Sequence, residues 1–372
     1  MLKPKLAIIG ASYLQLPLVK KAKDMGIETH CFAWEEGAVC KKYCDHFYPV
    51  SVLDKEIILQ YCRDIKINGI TTIATDIAVP TISYVAEKLN LISNSYQTAL
   101  WATNKGLMRG CFHNEDVSSP KFLIVEKHEE KFLEELDFPV IVKPVDRSGS
   151  RGINKVYNPE MLESAVNMAL EESLSSTAII EEYIVGDEVS VESISWQGEH
   201  YILAVTDKVT TGPPHFVELE HHQPSGKNKE ILEDIVALTN QALNSLKVEY
   251  GAGHTEIKIG KNNKAYVVEV GARMGGDFIG SHLVELSTGY DFLEAVIFVA
   301  LNKFTVPHFN KRTFSGVYFL CKESEKIKPY FILKNNFDVQ KEIQNEELKY
   351  VTNSNDRSGY LIYCAENKPK LL

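Results

Sequence analysis

The sequence predicts an α/β domain followed by a longer α+β region. Three observations carry this reading. Short apolar runs alternate with amphipathic stretches over residues 1–97, the apolar runs after Asn104 shorten and pair through turn-rich connections, and two hairpin signals separate runs of period-two alternation.

In the first region, residues 5–10 read as a buried strand, 14–25 as a helix and 28–33 as a second strand. Asp54 is expected to cap a helix with Ile57, Ile58, Tyr61, Cys62 and Ile65 on one side, and a strand over 69–74 and a helix over 79–89 follow. Gly10 ends the first strand, but the segment from Ala11 to Tyr13 lacks the glycines of a dinucleotide fingerprint. A tight strand-to-helix turn is therefore expected there, and a nicotinamide site is not.

Beyond Asn104, strands are expected over 121–126, 138–145 and 178–184, with a helix over 159–174 capped by Asn158. Gln197-Gly198 joins strands 188–196 and 199–206, a helix runs over 228–246, and a second hairpin pairs 254–259 with 265–273. Residues from His308 onward read as a small mixed terminal piece.

With 372 residues, 44% hydrophobic and 24% charged, the chain is long enough for two or three cored domains. A net charge of -10 disfavours a general nucleic-acid surface, and no apolar run is long enough for a membrane span or signal peptide. Seven scattered cysteines without a CxxC pair suit reduced thiols, so a cytoplasmic location is expected. Cys40 and Cys44, near His46, are at helical spacing and read as a helix face, not as a zinc site.

Three segments carry chemistry. A strand delivers Lys143 to a loop containing Ser148, Gly149 and Ser150, whose backbone N–H groups and hydroxyls suit phosphate oxygens, although the GxxxxGK[ST] loop is absent. Next, an apolar strand ends in Glu181, Glu182, Tyr183 and Ile184, with Glu188 four residues on. This is either an exposed strand end or a hinge whose backbone reads an adenine edge while Glu188 accepts ribose hydroxyls. Third, alternation in the second hairpin places Val267, Glu269, Gly271 and Arg273 on one face and His254, Glu256 and Lys258 on the other strand's face. Glu256 and Glu269 then lie nearly opposite, and a hard cation with oxygen ligands is the economical way to hold two such carboxylates together.

In this order and spacing, Lys105, Lys143, the Ser148 to Ser150 loop, the Glu181 to Ile184 run, Glu188, Glu256 and the motif from Glu269 to Arg273 resemble the ATP-grasp superfamily. The pattern Glu269-x-x-x-Arg273-x-Gly275-Gly276 looks most like its L-amino-acid ligase (carboxylate–amine ligase) branch. The resemblance implies a Rossmann-like pre-ATP-grasp domain over 1–97, an ATP-grasp domain over 98–306 with a lid over about 120–186, and a C-terminal subdomain over 307–372. It also implies an ADP-forming ligase using ATP and Mg2+, with Mn2+ as an alternative. Lys105, Lys143 and the loop would hold phosphates, Glu181, Glu182, Tyr183 and Ile184 adenine, Glu188 ribose, Glu256 and Glu269 the metal. Arg273 and Lys143 would act on the transferred phosphoryl group. Gly271 departs from the family pattern, which carries Asn there, and so removes one side-chain ligand.

Substrates are expected to be a small-molecule carboxylate and an amine, with no nucleic acid and no membrane, and oligomeric state is left open, a homodimer being one option. Glu218 and His221 are expected at an α-amino group, and Arg273, Gly275 and Gly276 at a carboxylate. The rival readings are an ATP-grasp carboxylase acting on a purine intermediate and a non-catalytic nucleotide-binding sensor.

Overall fold

The computed structural model describes residues 3–126, 137–147 and 152–371. Among these, three sheets follow one another along the chain. The first contains β1 (Lys5–Ile9), β2 (Glu28–Ala33), β3 (His46–Pro49) and β4 (Gly69–Thr71), all parallel in the order β3-β2-β1-β4. Alternation sends Leu6 and Ile8 to one core and Ala7 and Ile9 to another. The connecting helices are α1 (Leu16–Asp24), α2 (Lys55–Ile65) and α3 (Val79–Leu89). Helices α2 and α3 cover the Ala7 and Ile9 face, while α1 shares the other with a helix nearly three hundred residues away, described below.

Two local expectations are corrected here. Asp54 occupies the position before α2 but its side chain makes no capping bond, and the helix buries Ile58, Leu59 and Cys62 while Ile57 and Tyr61 are exposed. Cys40 sits in a single 3-10 turn and His46 on the edge strand β3, so Cys40 and Cys44 do not form an α-helix face.

Helices α4 (Tyr96–Trp101) and α5 (Lys105–Asn114) lead into the second sheet. The Asn104 side chain accepts from the backbone N–H of Leu107 and so fixes the start of α5 at Lys105. Strands β5 (Phe122–Val125), β6 (Val140–Pro144), β7 (Asn154–Val156) and β8 (Ala178–Glu182) form an antiparallel sheet in the order β5-β8-β6-β7. Helix α6 (Leu162–Glu172) packs Leu162, Ala165, Val166 and Ala169 against it.

The third sheet has eight strands, β9 (Gly186–Trp196), β10 (Glu199–Thr210), β11 (Glu218–Gln223), β12 (Gly251–Gly260), β13 (Ala265–Gly271), β14 (Phe314–Leu320), β15 (Asp338–Ile343) and β16 (Gly359–Ala365). Their order is β13-β12-β9-β10-β11-β14-β16-β15. Helix α7 (Lys229–Ser245), capped by Asn228, covers one end of this sheet. Then come α8 (Val284–Thr288), α9 (Phe292–Ala300) and α10 (Lys328–Ile332). It is α9 that buries Phe292, Val296 and Ile297 against the first sheet. Residues 307–372, expected as a subdomain, do not build a sheet of their own among the described residues, because β14 pairs with β11 and continues the main-chain ladder of the central sheet.

Candidate active site

The second and third sheets face each other across a cleft of ≈ 200 Å³, which adjoins a larger cavity of ≈ 710 Å³ reaching the carboxyl ends of β1 and β2. Asp76, Lys208, Glu218, His254, Glu256 and Arg273 border both.

The cleft is organised by the β12–β13 hairpin, where Glu256 is the direct cross-strand partner of Glu269. Strict alternation fails just beside this pair. A bulge between Glu256 and Ile257 lets Ile257 pair with Val267 in the core while Val268 turns to the cleft, so Val267 and Glu269 do not share a face. Each glutamate meets a buried lysine: Lys105 Nζ is 3.0 Å from Glu269, and Lys208 Nζ is 2.7 Å from Glu256. Lys208 also lies 2.6 Å from Glu188, which in turn meets Lys258 at 3.0 Å. Burial pulls the Lys208 pKa down, but Glu188, Glu256 and Glu218 together drive it well above the ordinary lysine range. Lys208 is the main residue missed in the sequence, where it is one polar position in an alternating strand.

On the second sheet, Lys143 Nζ sits 2.6 Å from Glu181, whose other oxygen is 2.7 Å from the fully buried Arg109. Burial pushes the Glu181 carboxyl up, yet Arg109 and Lys143 outweigh it and hold the group below its usual range. The Glu181 side chain is thus committed to this ion network, so the adenine expectation for this residue rests on its backbone, near the end of β8. Glu182, Tyr183 and Ile184 line the cleft, and Lys155 Nζ stands 3.6 Å from the Tyr183 ring centroid. Ser148, Gly149 and Ser150 lie outside the described residues.

The larger cavity is lined by Gly10, Tyr13 and Asp277 as well as by Glu218, His221 and Gly276. Gly10 adopts φ +104, the tight turn expected of it. Glu218 and His221 are three apart on β11, which alternation would put on opposite faces. The register shift at Val209/Thr210 leaves Leu219 as the extra residue of the ladder instead, pairing Glu218 with Thr210 and His221 with Lys208. Neither ring nitrogen of His221 has a hydrogen-bond partner among the described residues, and burial lowers its pKa to about 3, leaving a neutral imidazole.

Arg273 is not free. Its Nε and Nη2 both donate to Asp76, at 2.8 Å each, in a bidentate pair that ties the glycine-rich loop to the first domain. This pair also explains Gly271: a Cβ there would come 2.8 Å from Asp76 Oδ1 and 3.1 Å from the Arg273 guanidinium carbon. The space a longer side chain would use is taken. Gly275 is corrected too, since its N–H donates to Glu192 Oε2 at 2.9 Å and is not available to a substrate carboxylate. Glu192, fully buried, also contacts His254 Nδ1, and His254 Nε2 is 3.5 Å from Glu256. Burial pulls the His254 pKa down, but Glu192 first and Glu256 second push it up to about 9. Two facing carboxylates are a donor set suited to a hard dication such as Mg2+, so the residues fit the expected metal.

Residues 136–281 match the ATP-grasp domain family. That stretch of the chain is similar to ATP-grasp domains, and the carboxylate–amine ligases are among the proteins the chain resembles. It is 28% identical to the alanine–anticapsin ligase of Bacillus subtilis (strain 168) over 258 residues, 62% of this chain and 53% of that one. The chain thus spans about half the length of the curated relatives it matches (53%). Its fold follows the L-amino acid ligase of Bacillus licheniformis with a TM-score of 0.84 at 21% identity, covering 98% of this chain and 94% of that one. It also follows N5-carboxyaminoimidazole synthetase of Staphylococcus aureus, solved with ADP, at TM-score 0.80 and 18% identity, covering 98% and 95%. No helix among the described residues is long and apolar enough to cross a membrane.

Proposed function

We propose that the chain is an ATP-dependent carboxylate–amine ligase that joins amino-acid substrates through an acyl phosphate, releasing ADP and phosphate. The observation carrying this is one continuous space. At one end are Lys105, Lys143 and the facing pair Glu256 and Glu269, and at the other a ≈ 710 Å³ cavity holds Glu218 and the unpartnered His221. A carboxylase acting on a purine intermediate would need comparable room, so the ligase is favoured by the similarity to the alanine–anticapsin ligase, not by volume.

Mg2+ held by Glu256 and Glu269 would neutralise phosphate oxygens and favour phosphoryl transfer. The chain's own part is mostly positioning. Lys105 enters at the first turn of α5 and Lys143 at the end of β6, so both cations meet the distal phosphates, while Glu181 and Arg109 fix the angle of Lys143. Glu188 would accept ribose hydroxyls in competition with Lys208 and Lys258, and Tyr183 and Ile184 would flank the adenine. Glu218 would meet the substrate's ammonium group, and the lid over about 120–186 would exclude water from the activated acyl group. Arg273, held by Asp76 at the border of both spaces, would steady the transferred phosphoryl group.

The test is product analysis with ATP, Mg2+ and pooled L-amino acids carrying ¹⁸O in their carboxylates. An amide product, ADP and inorganic phosphate with one labelled oxygen are expected. Label in AMP, pyrophosphate as co-product, or ADP formation indifferent to amino acids would overturn the reading.

A further inference from the structure

The first sheet carries a second group of metal-binding donors, far from the cleft. Glu28 and His30 stand two apart on β2 and so share a face, and His46 on the neighbouring edge strand β3 is the in-register partner of His30. One carboxylate oxygen and two imidazole nitrogens, from Glu28, His30 and His46, all lie within 4.8 Å of one another. We propose that Glu28, His30 and His46 form a binding site for a borderline divalent transition metal of the Zn2+ kind, which staples edge strand β3 to β2.

The spacing argues for it. Zinc bonds of about 2.0–2.1 Å put tetrahedral ligand atoms about 3.3 Å apart. Glu28 Oε1 is 3.0 Å from His30 Nε2 and 3.5 Å from His46 Nε2, so two edges of the tetrahedron already have their length. The rings of His30 and His46 stack with centroids 4.6 Å apart and planes 12° from parallel, so the exposed His46 must turn its ring out of the stack to aim its nitrogen lone pair at the shared position and complete the third edge. The fourth position opens to water on the His46 side.

An outer partner is in place as well. The Tyr48 hydroxyl is 3.1 Å from His30 Nδ1, so Nδ1 can carry the proton and leave Nε2 as the donor atom facing Glu28 and His46. An ordinary ion pair between Glu28 and a buried His30 would explain two of these groups. It gives no reason for a second imidazole to converge on the same carboxylate oxygen. The nearest competing cation, Lys5, is 4.0 Å from Glu28 Oε1 and donates to the Ile65 carbonyl at 3.1 Å. Two imidazoles and one carboxylate select Zn2+, Cu2+ or Ni2+ over Mg2+ or Ca2+.

The position assigns the role. Glu28 and His30 are at the amino end of β2, whereas the cavity meets the opposite end, at Ala33 and Trp34. A metal here does not touch the reacting groups. It fastens an edge strand of only four residues to the sheet.

The experiment is equilibrium dialysis of the metal-stripped chain against micromolar zinc, with MgADP present to occupy the nucleotide cleft. One zinc per chain is expected, with a thermal midpoint that rises with free zinc. His46→Ala, at an exposed position that leaves the core intact, should abolish both, and Tyr48→Phe should weaken binding on the order of tenfold. Cobalt(II) in place of zinc should give a spectrum without a thiolate charge-transfer band. No zinc uptake by the parent chain, full uptake by His46→Ala, or a thiolate band reporting Cys31 or Cys44 would each overturn the proposal.

Discussion

The cleft between the second and third sheets and the adjoining cavity differ in how the chain builds them. The cleft takes its groups from regular positions: a capped helix start for Lys105, a strand end for Lys143, a cross-strand pair for Glu256 and Glu269. The cavity is assembled from segments hundreds of residues apart, with Tyr13 and Asp76 from the first domain, Glu218 and His221 displaced by a bulge, and Asp277 fixed by Arg357. Each group of the cleft is placed by its own element, although Lys105 and Glu269 meet at 3.0 Å from distant segments. The cavity holds its shape only while its long-range ion pairs are intact.

The strongest way to break the contrast is Asp76→Ala. It leaves Arg273, whose side chain is only 14% exposed, without its partner, and removing one member of a buried pair costs about 3–5 kcal/mol. Urea unfolding should register that loss, and the cavity should suffer more than the cleft, so that amino-acid affinity falls further than ADP affinity. A variant as stable as the parent would mean that the pair does not hold the domains.

Glu269→Gln attacks the cleft alone. Keeping shape while removing charge from the expected metal cage should cut ATP-dependent phosphate release on the order of 10²–10³-fold with little change in the unfolding midpoint. Undiminished turnover at saturating Mg2+ would remove Glu269 from the metal site.

His254 tests the border between the two spaces through pH. Its folded pKa, about 9, lies above its ordinary 6.5, so the protonated ring stabilises the fold fully below pH 6.5. That contribution, roughly 3 kcal/mol by linkage, is lost as pH rises through 9. The stability gap between the parent and His254→Gln should therefore close between pH 6.5 and 9, and a gap independent of pH would show that His254 is not charged in the folded chain.

The smallest expected effect sharpens the contrast from the other side. Glu218→Gln should raise the KM for the amino-acid substrate by about tenfold or more, from the 1.5–3 kcal/mol of a hydrogen bond to a charged group, and leave ADP affinity nearly unchanged. Equal weakening of both ligands would mean that Glu218 serves the nucleotide through Lys208, 3.8 Å away.

By itself, the sequence determined the elements and most of the cleft. Periodicity delimited α3 and β2, hairpin register placed Glu256 against Glu269, and strand ends located Lys143 and the run from Glu182 to Ile184. All of these depend on neighbours a few residues away or across one turn, where spacing dictates geometry. Only the tertiary structure decided what depends on distant partners. Glu181 turned to Arg109, Lys208 gathered three carboxylates, Asp76 filled the space beside Gly271, and α9 closed the first sheet. A bulge beside Glu256 reversed a face that alternation had assigned, and one at Leu219 set the pairing of Glu218 and His221. The physical reason is common to all of them: a buried charge must find a countercharge and an apolar face must find a cover, and no local pattern says which remote residue will supply it.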